Sequence, residues 1–407
     1  APVAASSSLT CGLLVVALLC QRQRQEDGRT RIDGVMRVER RGGVFGEAAD
    51  GAAELAVELA QEVAGEQHGV PAALAQRRHR DMDDGEAIIK VFAEAPGGDL
   101  LRQVAGGGGD DAHVDVDALL ALKPDVVVYN PMWNDVDELV RILESGVNVV
   151  ASASFITGHN LGDDRGKLAD ACERGGSTLF GSGVSPGFAE MLAIVAGTAC
   201  DRIDKITIAE SADTTLYDSP ETERPVGFDM AIDDPDLAPM AAKGTAVFAE
   251  AVRLVADALG IELDEITCVS EYAQTTEDLP MASWTIKAGH VAGVFASWQG
   301  IVNGKTVIDI NVRWKKGQTL EPDWQLDSDG WKITIDGRPT VNMTVGFLPP
   351  PDMIENAKTL EDFFVLGHIM TALPPIHAIP AVVAAAPGIA TYNDLPMPLP
   401  RGVVHVG

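Results

Sequence analysis

The sequence predicts an α/β protein made of an incomplete Rossmann-type domain with a parallel sheet and an α+β domain with a largely antiparallel sheet. Between residues 125 and 188, short apolar runs alternate with helical patterns, which is typical of buried parallel strands. After residue 200, longer strands rich in Val, Ile, Trp and Thr follow one another through turns. The parallel part is predicted to be incomplete because no glycine-rich strand–turn–helix pattern precedes it.

Composition and charge limit the partners that this chain can have. The chain has 407 residues, enough for two domains, and a formal net charge of −29. Nucleic acids and anionic membranes need a basic surface, so we expect neither as a partner. The five cysteines are scattered without a C-x-x-C pair or metal-ligand spacing. We therefore expect reduced thiols in a cytoplasmic protein, and no metal site.

Residues 1–112 differ in composition from the rest of the chain. Every Trp and Tyr lies beyond residue 128, and Lys90 is the one lysine before residue 113. Two explanations stay open: a natural extension of low sequence specificity, or a poorly ordered, mistranslated stretch that replaced a nucleotide-binding half after a frameshift or wrong start. We favour the second explanation. Reading the DNA in its other frames tests it.

Residues 113–200 are predicted to form the Rossmann-type, nucleotide-binding half. Strands are expected at DVVVYN (Asp125 to Asn130), VNVVAS (Val147 to Ser152) and STLFGSG (Ser177 to Gly183). Ligands of parallel sheets bind beyond the carboxyl ends of the strands. We therefore expect the site at three such ends: Asn130-Pro131, Ser152 to His159, and Ser182 to Gly187.

Capping residues and prolines predict three helix boundaries. Asn134 is expected to cap the helix after the first strand. Ser185 is expected to cap the helix after the third strand, with Pro186 at its first position and its N–H groups available to an anion. Pro374-Pro375 is expected to break the C-terminal helix.

Residues 201–354 are predicted to form the α+β domain, used for substrate binding and oligomerisation. DKITIAESADTT (Asp204 to Thr215) alternates as a strand should, and Thr245 to Gly260 is an amphipathic helix closed by glycine. Asn303-Gly304 predicts a tight hairpin. Helices within residues 355–407 are expected to pack back on the parallel sheet.

Three stretches resemble a known family. DALLALKPDVVVYNP, GVNVV and GSGVSPGF are similar to the dihydrodipicolinate reductase-like oxidoreductases, above all to the branch of 2,4-diaminopentanoate dehydrogenase and the NAD(P)H-dependent amine dehydrogenases. The resemblance covers about residues 114–407. It implies NAD or NADP as cofactor and hydride transfer to a C=N or C=O carbon of a small substrate. We also expect a homodimer or a higher homo-oligomer.

The resemblance assigns four residues to cofactor binding. Asn130 and Pro131 fall on the nicotinamide side, and Ser152 and Ala153 begin the loop beside the reacting carbon. The amine dehydrogenases carry a glutamate shortly after the strand that matches VNVV. This chain reads ASASF from residue 151 to residue 155, without a carboxylate.

Polar residues at the strand ends supply the remaining candidates. His159 is the candidate proton donor, with Ser154 as a second catalytic candidate; a surface-loop histidine is the alternative. Asn160 is expected to bind polar atoms of the substrate. A seat for a substrate carboxylate, with a structural cap as its alternative, is predicted at Ser182, Ser185 and Gly187.

Two functions stay open. The first is an NAD(P)-dependent oxidoreductase of the dihydrodipicolinate reductase-like type. The second is a cofactor-less, catalytically inactive relative that acts as a binding or scaffolding protein. A fluorescence change on adding NADPH distinguishes them. A hydrolase is disfavoured because GSGVSPG lacks the G-x-S-x-G nucleophile spacing.

Overall fold

A computed structural model describes residues 116–130, 134–326, 330–359 and 361–400, together with the backbone of four strands nearer the N terminus. These strands are β1 (Leu14–Arg22), β2 (Ile32–Arg40), β3 (Ala87–Ala95) and β4 (Gly98–Gly106). They pair antiparallel in sequence order. The prediction that residues 1–112 are poorly ordered or mistranslated stays a prediction.

The first sheet contains the three predicted parallel strands. They are β5 (Val126–Val128), β6 (Asn148–Ser152) and β7 (Thr178–Ser182). β5 pairs in parallel with β6, and β6 with β7, so the valine runs lie side by side as predicted. A short strand, β17 (Gly388–Ala390), extends the parallel set beyond β7. On the other side, β1 pairs antiparallel with β5.

Four helices connect and follow these strands. They are α1 (Val116–Ala121), α2 (Val136–Glu144), α3 (Asp164–Gly175) and α4 (Phe188–Gly197). The apolar side chains of α1, α2 and α3 pack with those of the sheet in one core, which includes Leu139, Leu143, Leu168, Val149 and Leu179.

The predicted cap of α2 is wrong by one residue. Asp135, not Asn134, is the N-cap, and its carboxylate accepts hydrogen bonds from the N–H groups of Asp137 (2.9 Å) and Glu138 (3.0 Å). A carboxylate in this place is favoured by the positive end of the helix dipole as well as by the hydrogen bonds.

The predicted cap of α4 is also wrong. The helix begins at Phe188 with Gly187 (φ 135°) as its N-cap, so Ser185 and Pro186 lie in the loop before it. Glu190 reaches back to the N–H of Gly187. The carboxylate of Glu190, three residues after the N-cap, therefore caps the start of α4 in place of the predicted serine hydroxyl.

The second sheet has the order β14-β9-β12-β13-β8-β15-β16. Its strands are β8 (Arg202–Asp213), β9 (Glu265–Thr275), β12 (Val291–Val302), β13 (Lys305–Lys315), β14 (Leu320–Glu321), β15 (Gly330–Arg338) and β16 (Val341–Val345). Every neighbouring pair in it is antiparallel except β8 and β13. A separate two-stranded ladder joins β10 (Leu279–Pro280) and β11 (Thr285–Ile286). The largely antiparallel sheet is confirmed.

The hairpin between β12 and β13 turns at the predicted dipeptide. Asn303 and Gly304 have φ values of 51° and 72°, the positive values that a two-residue type I′ turn requires.

Helices cover one face of the second sheet. They are α5 (Pro220–Glu223), α6 (Leu237–Gly244) and α7 (Val247–Leu259). α7 and α4 pack on the isoleucines of the central strands in a single core, which includes Ile206, Ile208, Ile310, Ile333, Val252 and Ala193.

The C-terminal region contains α8 (Pro351–Asn356) and α9 (Val365–Val383). The predicted break at Pro374-Pro375 is wrong, since α9 continues through both prolines. By length and composition alone, α9 is also the one helix in the described ranges that could span a bilayer. Its buried side chains pack on the parallel sheet in a core formed by Ala378, Ile379, Val382, Val126, Val150 and Phe180, and this burial offsets the hydrogen bonds that the prolines cannot donate.

Candidate functional site

The carboxyl ends of β5 and β6 are joined by a side chain. The Oδ1 atom of Asn130 accepts a hydrogen bond of 2.7 Å from the N–H of Ser152. Asn130 therefore sets the spacing between the two predicted cofactor-binding positions. Pro131, the other residue predicted beside it, lies outside the described residues.

The chain leaves β6 through a tight loop that lies directly on β7. Ala153 and Phe155 both have positive φ values, 51° and 56°, which side-chain-bearing residues adopt only where the surroundings hold them. A Cβ on Gly181 would lie 1.5 Å from the backbone oxygen of Ser154. Only glycine at this position in β7 allows the loop to approach so closely.

A buried carboxylate from α7 holds the next part of this loop. Oε2 of Glu250 accepts hydrogen bonds from the N–H groups of Thr157 (2.9 Å) and Gly158 (3.1 Å), and Oε1 accepts one from Asn160 (2.8 Å). Glu250 is 2% exposed. One residue of the helix that covers the second sheet thus fixes a loop at the edge of the first.

His159 lies in this anchored loop. Its Nδ1 atom is 2.9 Å from the hydroxyl of Thr157, and the residue is exposed. Desolvation of the ring, followed by the charges of Arg165 and Arg253, lowers the pKa of His159 from its ordinary value. The imidazole is therefore biased towards its neutral form, which accepts a proton more readily than it donates one.

The predicted carboxylate seat at the start of α4 is filled by the chain's own Glu190. This carboxylate accepts hydrogen bonds from the N–H of Gly187 (2.5 Å) and the hydroxyl of Ser185 (3.4 Å). The next two N–H groups of the helix donate to the backbone oxygens of residues 183 and 184. Ser182 is fully buried and shares a hydrogen bond of 2.7 Å with the hydroxyl of Tyr392. Ser185, Gly187 and Glu190 thus form one internal group of hydrogen bonds, and Ser182 and Tyr392 form another.

Glu190 is itself an unusual acid. It is fully buried, and this burial raises its pKa from 4.5 to about 7, with a further contribution from the charge of Glu210. Burial also raises the pKa of Glu210, although two indole N–H groups, from Trp314 (2.7 Å) and Trp331 (3.0 Å), donate to it and act in the opposite direction. Carboxyl groups with such shifts concentrate at functional sites.

The described residues fit the nicotinamide end of a dinucleotide cofactor. The neutral amide and hydroxyl groups at the carboxyl ends of β5 and β6 match the hydrogen-bonding chemistry of a nicotinamide carboxamide, and the close approach at Gly181 brings backbone groups to the same edge. No phosphate-binding turn lies between a described strand and helix: the glycine-rich turn at residues 183–187 uses its own N–H groups internally. In the same part of the chain, no three His, Cys, Asp or Glu residues gather as a metal would require.

Three buried or partly buried carboxylates are not among the site residues predicted from the sequence, although each left a signal there. Glu250 interrupts the apolar stripe of an amphipathic helix, four residues before Leu254. Glu210 takes the place of the next inward residue after Ile206 and Ile208 in an alternating strand. Glu190 stands three residues after a glycine that precedes an apolar helix.

Known proteins are similar to this chain over much of its length. A family model described as the 2,4-diaminopentanoate dehydrogenase C-terminal domain matches residues 188–404. An amine dehydrogenase of Streptomyces virginiae is 29% identical over 314 residues, which cover 74% of this chain and 84% of that protein. The 2,4-diaminopentanoate dehydrogenase of Acetoanaerobium sticklandii is 26% identical over 275 residues, which cover 64% and 70%.

A solved structure has the same fold. The amine dehydrogenase from Mycobacterium smegmatis superposes with a TM-score of 0.56 at 19% identity, covering 73% of this chain and 82% of that one.

Proposed function

The chain belongs to the 2,4-diaminopentanoate dehydrogenase family, and from that premise we propose that it interconverts a small amine and its C=N or C=O counterpart at the carboxyl ends of β5, β6 and β7. It is an NAD(P)-dependent oxidoreductase of the dihydrodipicolinate reductase-like type, acting on a small molecule. That the substrate is an amine, and that it is interconverted with its C=N or C=O counterpart, is the proposed part.

The observation that carries the proposal is the anchored loop at residues 157–160. Three backbone N–H groups converge on the buried carboxylate of Glu250. A loop that donates three charge-assisted hydrogen bonds to a carboxylate of another element keeps one conformation. Such pre-organisation is what a site needs if it is to hold a substrate against a cofactor.

Four residues are proposed to hold the nicotinamide side of the cofactor: Asn130, Pro131, Ser152 and Ala153. When bound, the nicotinamide supplies or accepts the hydride. Asn130 also positions Ser152 through the hydrogen bond between them, which supports a shared role for the two residues.

His159 and Ser154 are proposed to handle the proton. The neutral bias of His159 suits it to accept a proton at a ring nitrogen when the amine is oxidised, and to return it in the reductive direction. The hydroxyl of Ser154 accepts a hydrogen bond of 3.4 Å from Asn134, so its own hydrogen is oriented towards other acceptors.

The substrate-binding assignments divide into two kinds. Asn160 is exposed while its N–H is held by Glu250, which supports direct contact between its side chain and the substrate. Ser185 and Gly187 bond Glu190, and Ser182 bonds Tyr392. We propose that these three residues act on the substrate through Glu190 and the shape of the turn.

Turnover of the full chain tests the proposal. NADH and NADPH are supplied with small ketones and aldehydes in excess ammonia, and the oxidised cofactors with the corresponding amines, while the absorbance of the reduced nicotinamide is followed. We expect His159→Gln to lower kcat by about 10²- to 10⁴-fold. His290→Gln is the matched control, since that ring bonds Asp229 within the second sheet region. No turnover of any substrate with either cofactor would refute the proposal.

A second candidate, the cofactor-less relative, is favoured by one observation. The strand beside β5 runs antiparallel to it, whereas a Rossmann-type domain places a parallel strand with the phosphate-binding turn there. Titration with NADPH, followed by its fluorescence, tests this candidate. Saturable binding eliminates it.

We also propose a homodimer or a higher homo-oligomer in the cytoplasm, without nucleic-acid or membrane partners. The net charge of −29 supports the absence of nucleic-acid and membrane partners, and the free thiols of Cys172, Cys200 and Cys268 support the cytoplasmic location. Within it, residues 113–200 are the nucleotide-binding part and residues 201–354 the substrate and oligomerisation part. Light scattering of the purified chain tests the subunit number.

A further inference from the structure

The core under α4 and α7 ends in a polar layer. On β8, Ile206 and Ile208 point into this core, and Glu210 is the next residue on the same face. Trp331 of β15 stands directly opposite Glu210 in the ladder. Trp314 of β13 pairs with the residue two places further along β8. Three neighbouring strands therefore direct one carboxylate and two indoles to the same place.

The two indoles bind both oxygens of this carboxylate. Nε1 of Trp314 donates to Oε1 of Glu210 at 2.7 Å, and Nε1 of Trp331 donates to Oε2 at 3.0 Å. Each oxygen retains capacity for a further hydrogen bond. In the described ranges, no Lys, Arg or His forms an ion pair with Glu210. A largely buried carboxylate without a cation is costly, unless a cation from outside completes it.

A second buried carboxyl group interacts electrostatically with the first. Glu190, in the first turn of α4, is fully buried and bonded to Gly187 and Ser185. The charge of Glu210 contributes to the raised pKa of Glu190, so the two groups share one electrostatic environment. Glu190 belongs to the carboxyl edge of the parallel sheet, and Glu210 to the centre of the second sheet.

Two further aromatic rings pack beside the indoles that bind Glu210. The ring of Phe248 lies 6.3 Å from that of Trp314, and the ring of Phe347 lies 5.7 Å from that of Trp331. Glu210 and Trp314 are partly exposed, so the layer is open on one side. Carboxylates combined with aromatic rings are the surroundings that proteins use to bind alkylammonium cations.

We propose that Glu210, framed by the indoles of Trp314 and Trp331, binds the ammonium group of the amine substrate, and that the buried Glu190 adds negative charge to this site. This inference rests on the proposed function and deepens it by naming the residues that recognise the cation. An ammonium group donates three hydrogen bonds, and both oxygens of the partly exposed Glu210 offer acceptors at the open side of the layer. We call this site the ammonium seat. It supplies negative charge, whereas the loop at residues 151–155 contains no carboxylate.

Binding of simple cations tests the seat without any catalysis. The full chain is titrated with propylammonium and with 1-propanol, a neutral molecule of similar size, and binding is followed by intrinsic tryptophan fluorescence and calorimetry. We expect propylammonium to bind about tenfold or more tightly than 1-propanol. Glu210→Gln and, independently, Glu190→Gln are expected to weaken propylammonium by about tenfold or more. Thermal unfolding shows whether each variant is folded. If one variant misfolds, the binding measured with the other still tests the proposal.

A matched control separates the seat from general charge effects. Glu271 is exposed on β9 and pairs with Phe295, on the opposite face of the sheet, so Glu271→Gln is expected to bind propylammonium as the wild type does. Equal binding of propylammonium and 1-propanol, or no binding of propylammonium, overturns the proposal. So does unchanged binding in both folded seat variants.

The outcomes also separate this inference from the proposed function. Preference for propylammonium without any NAD(P)-linked turnover leaves the seat intact and refutes the proposed function. Amine turnover with an unchanged KM in Glu210→Gln and Glu190→Gln refutes the seat and leaves the proposed function intact.

Discussion

Replacement of Glu250 by glutamine tests the coupling between α7 and the loop at the sheet edge. The carboxylate receives three backbone hydrogen bonds, from Thr157, Gly158 and Asn160. Glutamine keeps one accepting oxygen and turns an NH₂ group towards at least one of these N–H donors. The perturbation therefore changes hydrogen bonding while the volume of the side chain is nearly conserved.

The magnitude follows from the burial of the donors. Thr157 is 2% exposed and Gly158 is buried. An N–H group that loses its acceptor there cannot form a hydrogen bond to water instead. An unsatisfied buried group costs about 1–3 kcal/mol, and loss of the charge weakens the bonds that remain. We expect Glu250→Gln to destabilise the loop by about 2–4 kcal/mol. The N–H groups held by Glu250 should then exchange with solvent roughly 30- to 700-fold faster.

Hydrogen exchange resolved to residues 157–160 is the assay, with kcat/KM measured in parallel. Asp257→Asn is the matched control, because Asp257 is an exposed carboxylate on the same helix and receives no hydrogen bond from the loop. Exchange at residues 157, 158 and 160 that equals the wild type in Glu250→Gln would refute the reasoning. Faster exchange with unchanged kcat/KM would show that the anchored loop does not contribute to catalysis.

Three further predictions concern stability. Burial raises the pKa of Glu190 to about 7. The contribution of the protonated side chain to stability is therefore fully present below about pH 4.5 and is lost as the pH rises through 7. Over that range the free energy of unfolding should fall by about 3 kcal/mol relative to Glu190→Gln. Lys316→Met should lower the free energy of unfolding by about 3–5 kcal/mol, because the buried carboxylate of Glu223, 2.6 Å from Nζ of Lys316, loses its counter-ion. Gly181→Ala should cost about 1–3 kcal/mol or prevent folding, because its Cβ would lie 1.5 Å from a backbone oxygen.

Denaturant unfolding measures all three, and each has its own check. A parallel pH dependence in wild type and Glu190→Gln would contradict the first prediction. Adding Glu223→Gln to Lys316→Met should restore part of the lost stability, and no recovery would contradict the second. Gly166→Ala in α3, where an added Cβ meets nothing within 4 Å, should be neutral or slightly stabilising; an equal loss at Gly181 and Gly166 would contradict the third.

The parts of the fold that depend on local pattern could be predicted. The valine runs of β5 and β6 are continuous because both faces of a parallel sheet are buried, and they pair as that pattern predicts. Asn303-Gly304 adopts the turn that its residue types favour. In both cases the residue types within a short stretch of sequence are enough to indicate the structure.

Predictions failed where a distant or alternative partner decided the outcome. Ser185 is a good capping residue by type, but Glu190 takes the N–H of Gly187 and moves the helix start. Pro374 and Pro375 would end an isolated helix, yet the contacts of α9 with the parallel sheet keep it continuous. Glu250 acts on residues about ninety positions earlier, a pairing that no local pattern reveals.

The partners of the buried acids separate structural carboxylates from functional ones. Glu223 has a lysine, Lys316, at 2.6 Å, so its charge is compensated inside the protein, and the pair serves the fold. Glu210 receives only neutral indole N–H groups, and Glu190 a backbone N–H and a hydroxyl. A chain that keeps a carboxylate buried and leaves its charge uncompensated gives up stability, and that cost is expected where a ligand supplies the missing charge. On this argument the cation that completes the site arrives with the substrate, where α4 packs on the second sheet.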